Sequence, residues 1–232
     1  MSALGADPKL ASAALARSLL ERRGERSDAD REAFRRALLS VPAGEQDAWL
    51  DLALGIEGVL EDGPELPRGC VPYLPCSVSA LLRTIEHAGV SSSDVFVDIG
   101  SGLGRATLLT HLLTGAATIG IEVQPQLVRA ARELATRLYA ERCAVVPGDA
   151  AGLGALGATL ARGSVFFLYC PFSGERLANV LDALEPIARA RAIRVCSVDL
   201  PLPPRPWLTR LDLPFEDVAV YRSTLGEPAS TL

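Results

Sequence analysis

Val97-Asp-Ile-Gly-Ser-Gly-Leu-Gly104 is the stretch that decides the fold. The apolar run Val95-Phe96-Val97 leads into Asp98, glycines fall at the alternate positions 100, 102 and 104, and a helical pattern starts at Arg105. Glycine has no Cβ, accepts positive φ and lets a backbone come close to a bound molecule. The amides that open the following helix point toward negative charge. Asp98 at the strand end narrows the ligand further, because a carboxylate suits an ammonium or hydroxyls better than a bare pyrophosphate.

Around this loop, short apolar runs alternate with helical patterns. Strands are expected at 95–99, 118–122, 144–146, 165–169 and 193–198, and helices at 77–87, 105–113, 126–140, 151–161 and 174–190. The strand runs lack clean alternation, as strands buried on both faces do. The order predicts an α/β fold: a Rossmann-like, doubly wound, mostly parallel seven-stranded sheet. Its last two runs, 207–213 and 218–223, are joined by Pro214-Phe-Glu-Asp217, too short for a helical crossover, so they predict a C-terminal antiparallel hairpin.

Residues 1–65 carry no strand pattern and read as a helical N-terminal extension. Its apolar stripes are Leu10/Ala14/Leu19/Leu20, Phe34/Leu38/Leu39 and Ala48/Leu50/Leu52/Leu54, with a cap at Ser27 or Asp28 and solvated arginines and acids between them. The breaker-rich run Glu61-Asp-Gly-Pro-Glu-Leu-Pro-Arg-Gly69 marks its boundary. The extension is expected to serve as a substrate-side lid or as a homodimer surface.

With 49% hydrophobic residues in 232, the chain can build a full core. A net charge of −5 argues against nucleic acid or an anionic membrane as partner. Five cysteines, odd in number and without a C-x-x-C pair, fit a reduced cytoplasmic protein rather than a disulfide framework or a zinc ribbon. No signal-peptide pattern and no bilayer-long uncharged stretch is read, and no metal is expected.

Ligands of open α/β sheets bind at the carboxyl ends of the strands. There the sequence places Asp98, Glu122, Asp149, the run Tyr169-Cys170-Pro171-Phe172, and Asp199. A nicotinamide-binding loop expects G-x-G-x-x-G, whereas here the third glycine comes one residue early and Arg105 follows it. His87 and His111 fall within helices and are expected to be structural, as is Cys170 as a small filler.

On VDIGSGLG at 97–104, GIE at 120–122, GDA at 148–150 and YCPF at 169–172, the chain resembles the class I S-adenosylmethionine-dependent methyltransferases over about residues 70–225. Residues 70–232 are then the cofactor-binding domain. The resemblance implies S-adenosyl-L-methionine as cofactor, with the loop of Gly100, Ser101, Gly102 and Gly104 against its methionine part and Asp98 at its amino end. It puts Glu122 on the ribose hydroxyls, Asp149 on the adenine amino group, and the Ala150 amide beside it. Tyr73-Leu-Pro75-Cys-Ser77 ahead of a helix is similar to the entry loop of Dot1-like lysine methyltransferases and their bacterial relatives, which implies that Tyr73 and Ser77 touch the methionine end. Cys170, Pro171 and Phe172 would face the acceptor, with Tyr169 and Asp199 as catalytic candidates.

Amine-methylating relatives often carry Asn or Asp where Tyr169 stands, a departure that counts against DNA-adenine methylation and against a lysine acceptor as well. The expected activity is N-methylation, with a protein side chain as acceptor. Small-molecule methylation and a catalytically silent cofactor-binding subunit are the alternatives.

Overall fold

Five short runs rich in β-branched and aromatic residues form the parallel strands β1 (Val95–Ile99), β2 (Ala117–Glu122), β3 (Cys143–Pro147), β4 (Val165–Tyr169) and β5 (Arg194–Val198). The structure is a computed structural model and describes residues 8–58, 66–152 and 156–224. β6 (Leu208–Arg210) and β7 (Val218–Ser223) complete a seven-stranded sheet of order β3-β2-β1-β4-β5-β7-β6. β7 runs antiparallel to β5, and β6 antiparallel to β7, as the short connection predicts. The strand order reverses between β1 and β4, and the crevice at that switch point opens at the strands' carboxyl ends.

Alternate strand residues enter two cores. Phe96, Phe167, Cys196 and Val198 pack on one face toward α4 (Val78–Ala88) and α5 (Arg105–Thr114), with α6 (Pro125–Arg137) alongside. Val97, Ile99, Phe166, Leu168 and Val195 pack on the other, toward the single turn α7 (Gly157–Leu160) and α8 (Gly174–Ala190). Each fully buried phenylalanine contributes about 1.5–3 kcal/mol of apolar transfer.

The extension forms α1 (Pro8–Leu20), α2 (Asp28–Leu39) and α3 (Gln46–Leu54). Ser27 caps α2 in a reciprocal box with Asp30. These helices share the first core: Ala13, Ala16, Phe34, Leu38, Trp49 and Leu54 lie in one apolar cluster with Leu108, Leu109 and Leu112 of α5. The first apolar stripe differs from expectation. Leu10 and Leu15 are 51% and 65% exposed, and Ala14 is exposed too, while Ala13, Ala16 and Leu20 face inward. Small residues let α1 approach α3, whose Trp49 indole donates to Ser12 Oγ at 2.8 Å. In the third stripe Ala48 is exposed and Trp49 takes the buried place.

Two arginines of the extension read as a solvated face, Arg17 and Arg26, are helix caps, and arginines elsewhere do the same. Arg17 donates to Leu52 O at 3.0 Å, Arg137 to Leu54 O at 3.0 Å, Arg142 to Gly115 O at 2.8 Å and Arg194 to Ala88 O at 2.7 Å. Arg26 joins the last carbonyls of α1 and α6. Unpaired carbonyls and the negative dipole end of a helix both favour a cationic fork there. The helix expected at 151–161 is reduced to α7. Gly152 N instead closes a turn on Asp149 O at 3.0 Å, and 153–155 lie outside the described residues, as does most of the breaker-rich run. The strand expected from Trp207 shortens to β6, with Trp207 buried beneath it.

Candidate active site

The loop after β1 folds over β2. The amides of Gly100 and Ser101 both donate to Ile121 O, at 2.9 and 3.0 Å, and Gly102 N donates to Glu122 Oε2 at 2.8 Å. Gly102 has φ +53, and a Cβ there would stand 2.1 Å from Tyr73 Cε2. At Gly100, φ +84, it would stand 2.7 Å from Pro171 Cβ. The missing side chains are thus used by the protein itself, whose Tyr73 ring and Pro171 pack onto the loop. Ser101 turns the other way: its Oγ is buried against Gly120 and has no partner among the described residues.

Three carboxylates stand at three neighbouring strand ends. Asp98 is 3% exposed, and among the described residues no hydrogen bond reaches its carboxylate. Burial, and the Glu122 charge beside it, push its pKa up to about 8. Glu122, 5% exposed, accepts from Gly102 N and, through Oε1, from Gln124 N at 2.8 Å. Two of its roughly four lone-pair sites therefore stay open. Asp149 accepts at Oδ1 from Ala151 N at 3.0 Å and from Arg176 at 2.5 Å, which leaves Oδ2. The Arg176 guanidinium also lies 5.6 Å from the centre of the Phe172 ring. Ala150 is buried and lines the same cleft.

A strap, residues 70–77, forms the outer wall. Cys70 bridges to Phe172, and Val71 N donates to Pro171 O at 3.0 Å. Burial pushes the Tyr73 phenol up to about 12. Ser77 ends the strap as the N-cap of α4, accepting from Ala80 N at 3.2 Å, and is not among the cleft's lining residues.

Tyr169 ends β4 and lines the cleft together with Cys170, Pro171 and Phe172. Burial raises the Tyr169 phenol, and Cys76, Asp199, Cys170 and Asp47 push the same way. Cys170 (φ +42) and Asp199 (φ +50) are left-handed residues at adjacent strand ends. The Cys170 thiol donates to Asp199 O at 2.9 Å, and burial raises its pKa, so it is a structural thiol. Asp199 itself is exposed and faces a neighbouring cleft beside β7. His111 is also structural, its Nδ1 2.9 Å from Ala116 O.

Arg105, Asp47, Asp51 and Arg176 were not among the expected site residues. Arg105, 5% exposed, binds Asp51 at 2.7 Å, the Asp47 carboxylate at 2.8 Å and the Cys76 carbonyl. The available signal was an arginine at the first position of a helix, where its charge opposes the dipole.

Known proteins are similar to this chain. A crystal structure of an RNA methyltransferase from Salinibacter ruber in complex with S-adenosyl-L-homocysteine is 30% identical, over 67% of this chain and 95% of that one, with a TM-score of 0.50. The chain belongs to the class I S-adenosylmethionine-dependent methyltransferases. The family model "Histone methylation protein DOT1" matches residues 73–149 of this methyltransferase, from the strap to the third carboxylate. Two further structures share its fold. The yhhF protein from Escherichia coli is 19% identical, over 69% of this chain and 91% of that one, with a TM-score of 0.51. MtNAS in complex with MTA and tNA is 13% identical, over 92% of this chain and 68% of that one, with a TM-score of 0.50. No curated protein matches the chain.

The residues present fit the family's cofactor. An unpartnered, buried Asp98 calls for a cation, Glu122 keeps acceptor capacity for a diol, and Asp149 Oδ2 can take an amine. No described helix is long and apolar enough to cross a membrane.

Proposed function

We propose that this methyltransferase methylates a nitrogen, the amine of a protein side chain. In this reading Asp98 holds the cofactor's ammonium, Glu122 its ribose and Asp149 its adenine, along the edge formed by the ends of β1, β2 and β3. When bound, S-adenosylmethionine supplies a methyl group on positively charged sulfur, open to in-line displacement. Tyr169 and Phe172 offer ring faces to positive charge, each worth about 0.5–2 kcal/mol.

The observation that carries the choice of nitrogen is the sign of the charge around Tyr169. Asp47 and Asp51 together outweigh the one guanidinium they hold, Arg105, and Asp199 stands exposed at the next strand end. A negative mouth draws in cations and repels phosphates, which favours an amine over an RNA acceptor such as the Salinibacter ruber relative's name describes. A neutral amine needs no strong base to attack. The proton the amine sheds passes to solvent, since Asp199 faces the neighbouring cleft, and the Tyr169 hydroxyl orients the nucleophile.

The test is to incubate the full chain with methyl-labelled cofactor and a cell extract, then to separate protein, RNA and small molecules. Label in protein, recovered after hydrolysis as an N-methylated amino acid, is the expected result. Label confined to RNA or to small molecules would refute the reading, and binding without any transfer would indicate a silent subunit.

A further inference from the structure

We propose that Arg105 is a positioning residue through which the N-terminal helices build the cofactor site, an inference that rests on the cofactor reading above. α3 supplies no residue to the walls of the cleft, yet two of its carboxylates meet at Arg105. The guanidinium donates through Nε to Asp51 at 2.7 Å, and through Nη2 to the Asp47 carboxylate at 2.8 Å and the Asp47 carbonyl at 3.0 Å. Nη1 donates to the Cys76 carbonyl. All three nitrogens are engaged with protein, so Arg105 acts on the ligand through other groups.

The groups it acts through lie on either side of it. Its own backbone continues the loop 100–104, whose Gly102 amide meets Glu122 at 2.8 Å. Its Nη1 holds the last turn of the strap, and Asp47 Oδ1 fastens the same place by accepting Val78 N at 2.9 Å. The strap in turn lays Tyr73 on Gly102. One guanidinium thus fixes the loop and the strap to each other, and the two elements together line the space beside Asp98 where the methionine end would lie. Helix formation gives no reason for a cation at the first position of α5, where it opposes the dipole. The two aspartates of α3 supply that reason. A lysine cannot replace the fork, since a single ammonium lacks its planar array of donors.

The experiment measures S-adenosylhomocysteine affinity by calorimetry on the full chain, for Arg105→Lys, Asp51→Asn and the double variant. Each is measured at a temperature where circular dichroism shows it folded. Arg105→Lys is expected to weaken binding about tenfold or more and Asp51→Asn several-fold, on the scale of a lost charged hydrogen bond. The double variant should be no weaker than Arg105→Lys alone, because both changes break one clamp. A purely structural arginine would lower the unfolding temperature and leave affinity alone. Folded variants that bind within about twofold of the unchanged protein would therefore overturn the proposal. Should Arg105→Lys fail to fold, Asp51→Asn decides by itself. An unchanged protein that takes up no S-adenosylhomocysteine would overturn the cofactor reading and the proposal together.

Discussion

Replacing Asp98 by asparagine should uncouple cofactor binding from pH. In the ligand-free protein, burial and the neighbouring Glu122 charge push the Asp98 carboxyl from 3.8 up to about 8. At pH 7 about nine molecules in ten then hold its proton. An ammonium seated against this group favours the ionised form, so binding at pH 7 should release about 0.9 proton. Affinity should rise about fiftyfold from pH 6 to pH 8, a range that stops short of titrating the ligand's own ammonium. Calorimetry with S-adenosylhomocysteine in two buffers of different ionisation enthalpy measures both quantities. Asp98→Asn keeps the shape but cannot ionise, so its affinity should be weaker and flat, with no proton released. Equal affinity at pH 6 and pH 8, or a slope that survives in Asp98→Asn, would refute the reasoning. Stability carries the opposite sign. Between 3.8 and about 8 the folded ligand-free protein keeps a proton that the unfolded chain has lost. Its stability therefore falls as pH rises through that window, by up to about 1.4 kcal/mol per pH unit, and Asp98→Asn should remove that fall.

Gly102→Ala should destabilise the protein by about 3 kcal/mol, from a left-handed backbone costing about 1–2 kcal/mol and the displaced Tyr73 ring. In chemical denaturation Tyr73→Ala should recover the steric part only, and failure to recover any would count against the packing described. Glu122→Ala should weaken S-adenosylhomocysteine binding by about 1.5–3 kcal/mol, and unchanged affinity would remove Glu122 from the site. Arg194→Ala should cost about 3 kcal/mol in urea denaturation, because it strips Asp94 of its ion pair and α4 of its cap. A loss below about 1 kcal/mol would contradict the capping role.

The clustering of the three carboxylates was legible because it follows from strand ends. Asp98, Glu122 and Asp149 each close an apolar run, and parallel pairing brings those ends together, with Asp98 opposite Gly120 and Glu122 opposite Pro147. The reading failed where contact depends on size or distance in sequence. Leucine stripes misjudged α1 because alanine, being small, is what allows helices to approach. That Ser77 caps α4 was not read from the sequence. The turn at 149–152 replaced a helix because the Asp149 side chain accepts the Ala151 amide, a local bond that competes with helix formation.

By itself, the sequence determined the strand order's raw material, the glycine loop and the acids that follow each strand, because period, breakers and crossover length act over a few residues. Only the tertiary structure decided what fills the space over the glycines and what Arg105 holds. Those contacts join residues 29 to 71 positions apart. Side-chain donors spend themselves on whichever acceptors packing brings near, and no local pattern encodes that choice.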